Sequence, residues 1–108
     1  MKPYLAALIV SAAFGLLHSI NIYSYASLQY AMTQIFFAFG LGMFLAVCYL
    51  RWGIGLCIAV HFVINLLGSF TEHADSAGLL VLTNGETAFY LLIAVASLVY
   101  SWKKLIEA

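Results

Sequence analysis

Charge is scarce in this chain: four Lys or Arg and four Asp or Glu among 108 residues, 7% in all, with a formal net charge of zero. Soluble domains carry about a quarter charged residues, so an ordinary water-facing surface is excluded. Four scattered cations make no basic patch or stripe, which excludes nucleic acid as a partner. Cysteine occurs twice, at Cys48 and Cys57 inside apolar runs, with no CxxC pair and no secreted disulfide framework. Both read as small buried hydrophobes. Proline occurs once, at Pro3, and no long polar leader follows Met1. No HExxH is present, which excludes a zincin of the soluble type. What fills the chain instead is apolar: 66% hydrophobic residues and a mean hydropathy of +1.08. Lipid is the expected solvent.

A helix needs about 20 mostly apolar residues to cross the hydrocarbon core. Runs of that kind, bounded by charge or turn residues, fall at about 4–22, 30–50, 53–70 and 87–102. The expected fold is therefore all-α, an integral membrane bundle of about four transmembrane helices in a single membrane domain, 1–108. The most polar stretch, 71–86, holds Glu72, His73, Asp75 and the turn pair Asn84-Gly85. It reads as a loop with a short interfacial segment at Leu79 to Leu82. With four spans, Lys2, Arg51 and Lys103-Lys104 share one side, and Lys and Arg favour the cytoplasmic side. The chain is expected to be a multi-pass protein of the cytoplasmic membrane with both termini in the cytoplasm. Lys2, the apolar run and Ser11-Ala12-Ala13 also fit a secretory signal peptide. Against that, the apolar stretch continues past any cleavage point and carries His18 at its far end.

Small residues recur at four-residue spacing at Ala7, Ser11 and Gly15, and again at Ala38, Gly42 and Ala46. Such stripes let helices approach closely in lipid, and they read as packing seams. Ionisable and strongly polar residues inside a span are costly and mark functional candidates. His61 lies near the centre of the third span with Asn65 four residues on, so both project from one helix face, which Cys57 and Ser69 extend. His18 lies one turn after Phe14, with Ser11 and Gly15 on its side of the first span. Two polar stripes could thus meet in the bundle interior. The bland alternative is interhelical hydrogen bonding, about 0.6 kcal/mol per bond. Two histidines fall short of the three protein ligands usual in catalytic zinc sites. Glu86 reads as a charge at a helix N-terminus, and Glu72, His73 and Asp75 as a hydrated loop. Tyr4, Tyr49, Trp52, Tyr100 and Trp102 fall near interfaces as aromatic anchors.

The segment Phe14-Gly-Leu-Leu-His18 resembles the FxxxH motif, and His61-Phe-Val-Ile-Asn65 the HxxxN motif, of the CPBP (CAAX protease and bacteriocin-processing) intramembrane proteases. Phe36-Phe-Ala-Phe-Gly40-Leu-Gly42 and the turn Tyr49-Leu-Arg51-Trp-Gly53 resemble that family's glycine-containing span and basic turn. The similarity covers about residues 5–68 and looks like the C-terminal part of the family. The family's first motif, EExxxR, has no counterpart here, since no Glu-Glu pair occurs.

The resemblance implies hydrolysis of peptide bonds at the membrane, with prenylated or bacteriocin-like peptides as substrates. It gives His18, His61 and Asn65 as catalytic residues and His18 and His61 as metal ligands, with zinc as cofactor or a metal-free, glutamate-dependent mechanism. His18 would hold or polarise the attacking water; His61 and Asn65 would stabilise the oxyanion or complete a metal site. Without the glutamate motif the chain is expected to be truncated or incomplete, and inactive until a carboxylate is supplied by an upstream segment or another subunit. The alternative is a non-catalytic relative acting as a binding, immunity or assembly protein. A small transporter component using the same histidines as an ion path is the third reading. Membrane lipids, a missing helix partner and a homo-oligomer are the expected partners.

Overall fold

The computed structural model describes residues 2–22, 26–69 and 73–107, leaving aside the side chains of residues 18–22. It is an all-α bundle of four helices: α1 Pro3–Ile22, α2 Leu28–Trp52, α3 Ile54–Ser69 and α4 Asn84–Ile106. One feature is added to the expected all-helical pattern. A two-stranded antiparallel hairpin, β1 His73–Ala74 and β2 Leu80–Val81, precedes α4.

Local chemistry explains each helix end. Ser27 caps α2, its Oγ accepting from the Tyr30 N–H at 3.2 Å. Between α2 and α3 stands one residue, Gly53, at φ 90°, a conformation that side chains resist. Its N–H closes α2 by donating to the Tyr49 carbonyl at 3.0 Å. In the hairpin, Asp75 Oδ1 accepts from the Ala77 and Leu79 N–H groups, both at 2.9 Å, and Gly78 takes φ 84°.

The expected turn at Asn84-Gly85 is corrected: these two residues open α4. Thr83 and Glu86 form a reciprocal capping box, the Thr83 hydroxyl accepting from the Glu86 N–H and the Glu86 carboxylate accepting from the Thr83 N–H. Thr-x-x-Glu ahead of an apolar run is a helix-start signal that outweighs the turn propensity of Asn-Gly. Glu86 Oε1 also pairs with His73 Nε2 at 3.0 Å, tying the hairpin to the polar first turn of α4. The bond from the Thr83 backbone N–H is the chief cause holding this carboxyl below its ordinary value, with smaller help from the Thr83 side chain and His73.

α2 is the axis of the molecule. It packs against α1 on one side and α4 on another, and it is the only helix whose backbone α3 approaches among the described residues. The α1 seam is the expected one. Ala7, Ser11 and Gly15 are buried, and a Cβ on Gly42 would stand 3.1 Å from Ser11. On the α4 side, a Cβ on Gly40 would stand 2.9 Å from the Ala94 carbonyl oxygen.

Two small cores fix the helix directions. Ala7, Met43, Val47 and Leu105 cluster at one end, and Tyr30, Tyr90 and Leu82 at the other. The start of α1 thus lies with the ends of α2 and α4, which brings Lys2, Arg51, Lys103 and Lys104 to one end of the bundle and the hairpin to the opposite one. Tyr4 packs edge-on against Trp102 at the basic end, with ring centroids 5.6 Å apart. By length and composition, α2 and α4 can cross a membrane, while α3 is a shorter apolar helix. Outward-facing Ile58, Phe62 and Leu92 are 64%, 67% and 70% exposed, the surface expected of helices facing lipid rather than water.

Gly40→Val drives a side chain into the Ala94 backbone and is expected to lower stability by about 1–3 kcal/mol, whereas Gly55→Ala, with open space around it, is tolerated; thermal unfolding in detergent compares them. Thr83→Ala is expected to cost about 1 kcal/mol through loss of the cap. Because the folded-state pKa of Glu86 is lowered, its contribution is present above the ordinary carboxylate pKa and lost as pH falls through the lowered value. An acid titration of the unfolding midpoint should therefore show a shallower acid decline in Glu86→Gln than in the parent.

Candidate functional site

A cavity of about 530 Å³ opens between α2, α3 and α4 at the hairpin half of the bundle. One face of α2 builds its wall: Gln34, Phe37, Ala38 and Leu41 follow the three- and four-residue spacing that keeps side chains on one side of a helix. Phe89, Tyr90 and Ile93 close it from α4, and Leu80 from β2. Leu80 is held there by its backbone, whose carbonyl accepts from the Ser27 N–H at 2.8 Å.

From α3 come His61 and Asn65, one turn apart, both lining the cavity. His61 is half-buried, and its ring packs edge-on against Phe14 of α1, with centroids 5.5 Å apart. This ring contact spans α1 and α3, whose backbones make no close approach among the described residues. The two ends of the α3 polar face are occupied by backbone carbonyls. Cys57 Sγ donates to the Leu45 carbonyl of α2 at 3.2 Å, and Ser69 Oγ to the Leu66 carbonyl at 2.7 Å. The first bond ties α3 to α2 one turn before His61, on the helix face that His61 and Asn65 carry on into the cavity. Cys48 and Cys57 are both free and buried.

The side chain of His18 lies outside the described residues; its backbone continues α1 one turn beyond Phe14. Ser11 and Gly15 do not extend a polar path along α1. Both are buried against α2, where short side chains are needed for close approach. In the loop, Glu72 lies outside the described residues, His73 pairs with Glu86, and Asp75 closes its own turn.

A catalytic zinc takes three protein ligands. Among the described residues no group of three His, Cys, Asp or Glu side chains comes together, and the cavity offers one imidazole and carboxamides. The described donor set does not fit a zinc site. No Asp or Glu lines the cavity among the described residues. What the arrangement offers is hydrogen bonding in a mostly apolar, aromatic-walled cavity with an open side, where Asn65 is exposed and His61 half-buried.

Gln34 is a cavity residue that the sequence reading passes over. It sits half-buried in α2, its carboxamide in the same enclosure as His61 and Asn65. A polar amide within an apolar run is the signal that marks it, by the same cost argument that singles out the histidines. Tyr30 and Tyr90, both buried, also line the cavity. Nothing in their sequence spacing sets them apart from interfacial aromatics.

Comparison with known proteins finds no match among curated proteins and none among solved structures. A family model does match, that of type II CAAX prenyl endopeptidases, Rce1-like, over residues 1–67. The matched stretch is the N-terminal part of the chain rather than its C-terminal part. It contains Phe14, His18, His61 and Asn65, and it ends before the hairpin and α4. With more than half of the chain inside that match, this protein belongs to the membrane-associated Rce1-like family of type II CAAX prenyl endopeptidases.

Proposed function

We propose that the chain supplies the His61 and Asn65 part of a peptide-hydrolysing site at the membrane, acting on prenylated peptides. The observation that carries this reading is that the two residues of the HxxxN motif line one aromatic-walled cavity. A carboxamide donor aimed at a carbonyl oxygen stabilises the oxyanion that forms when water adds to the scissile bond. Asn65 has that role, and Gln34 is a second amide able to bind the peptide backbone. His61 holds the attacking water or passes a proton to the departing amine, its ring orientation set by Phe14. Phe37, Phe89 and Ile93 offer apolar surface to a prenyl chain. In this reading all four helices cross the bilayer with the basic end and both termini in the cytoplasm. His18 joins the site from α1, and an additional helix or a second subunit supplies the carboxylate that activates water. Zinc would need that same outside contribution to complete its ligands.

The absence of a carboxylate from the described cavity lining favours one other reading, a non-catalytic relative that binds prenyl-peptide or lipid ligands. The two differ in what an added glutamate helix does. Co-reconstituted in liposomes with a helix carrying Glu-Glu-x-x-x-Arg, the chain is expected to cleave a fluorogenic prenylated peptide. Asn65→Ala is expected to slow that cleavage on the order of a hundredfold, and His61→Ala to abolish it. A wild-type rate in Asn65→Ala removes Asn65 from the site. Saturable binding of the peptide without any His61-dependent cleavage establishes the binding protein instead.

A further inference from the structure

At the basic end of the bundle a second cavity, about 330 Å³, lies between the last turns of α2 and α4. It is lined by Val47, Leu50, Arg51, Lys104, Leu105 and Glu107. Val47 and Leu105 are buried and form an apolar floor, while Leu50 is half exposed at the outer face. Arg51 and Lys104 come from two different helices and converge on this one space. Cations in the last turn of a helix are favoured by its dipole, but that preference does not require two of them to face a shared cavity. Nor does either have an acidic partner at ion-pair distance among the described residues, although Glu107 lines the same space. The Lys104 ammonium instead lies 5.8 Å from the centroid of the Tyr100 ring. With Tyr4 and Trp102 packed together beside it, this end has the aromatic content of a membrane interface.

We propose that this cavity is a binding site for an anionic phospholipid, with Arg51 and Lys104 on the phosphodiester and the start of an acyl chain along Val47 and Leu50. Two cations and one carboxylate leave the lining with one positive charge, which matches the single negative charge of a phosphodiester. Arg51 presents a planar fork suited to two phosphate oxygens, and Lys104 a point charge. Basic pockets between membrane helices suit lipid headgroups because the charges meet at interface depth while the acyl chain stays in hydrocarbon. The ligand would bridge α2 and α4 at the end opposite the candidate active site. The inference rests on the membrane-spanning reading and is independent of catalysis.

The test is native mass spectrometry of the protein released from nanodiscs containing equal phosphatidylglycerol and phosphatidylcholine. Retention of phosphatidylglycerol over phosphatidylcholine is expected on the order of tenfold, from two basic contacts. It is expected to be lost in the Arg51→Gln/Lys104→Gln double variant, kept in Arg51→Lys/Lys104→Arg, and kept in Lys2→Gln, which is outside the cavity. Equal retention of phosphatidylglycerol by the parent and the Gln double variant overturns the proposal. So does displacement of the lipid by millimolar inorganic phosphate, which would make this a free-anion site. Alkaline carbonate extraction of the parent from membranes reports separately on the spanning reading, since its failure there leaves the lipid ratios measurable.

Discussion

The close approach of the α2 backbone to both of its neighbours is the constraint on which the bundle depends. Among membrane helices there is little hydrophobic gain from contact, so association comes from packing, and packing is tightest where side chains are shortest. At Gly42 the α1 seam comes within 3.1 Å of a would-be Cβ, and at Gly40 the α4 backbone comes within 2.9 Å. Gly40 and Gly42 face opposite neighbours and hold α2 at one rotation. That rotation turns the face carrying Gln34, Phe37 and Leu41 toward the cavity. The shape of the candidate site is a consequence of glycines that never touch it.

The third helix obeys a different rule. It has no comparable glycine seam; the Cys57 thiol joins it to α2 through the Leu45 carbonyl, and the Phe14–His61 ring contact joins it to α1. Most of its remaining surface is apolar and outward-facing. The helix bearing the most chemically capable residues is thus the least enclosed, which gives the cavity an open side.

The two ends of the molecule are chemically unlike. At one end a hairpin, a capping box and the His73–Glu86 pair make a compact polar cover beside the cavity. At the other, four cations and several aromatic rings gather where α1 begins and α2 and α4 end. This asymmetry follows from helix parity: with near-zero connection length at Gly53, α3 must run back, and the long segment after it must lie at the hairpin end. A chain with few charges has placed its cations and most of its described acids at opposite poles.

Fold class was legible in the residues because a 66% hydrophobic chain with long apolar runs admits few alternatives to helices. The small-residue seam of α1 was legible too, since period-four spacing states directly which face can approach another helix. The motif residues His61 and Asn65 could be placed on one helix face by spacing alone. Their facing a common cavity with Gln34, Tyr30 and Tyr90 could not, because it depends on the rotation of three helices, set by contacts such as Gly40 to Ala94 that join residues far apart in sequence. The hairpin escaped for a related reason: strands of two residues have no periodicity to read, and their pairing is decided by Asp75, Gly78 and the docking of Leu80 on Ser27. Spacing along the chain fixes faces, while distances between helices are fixed by packing across them.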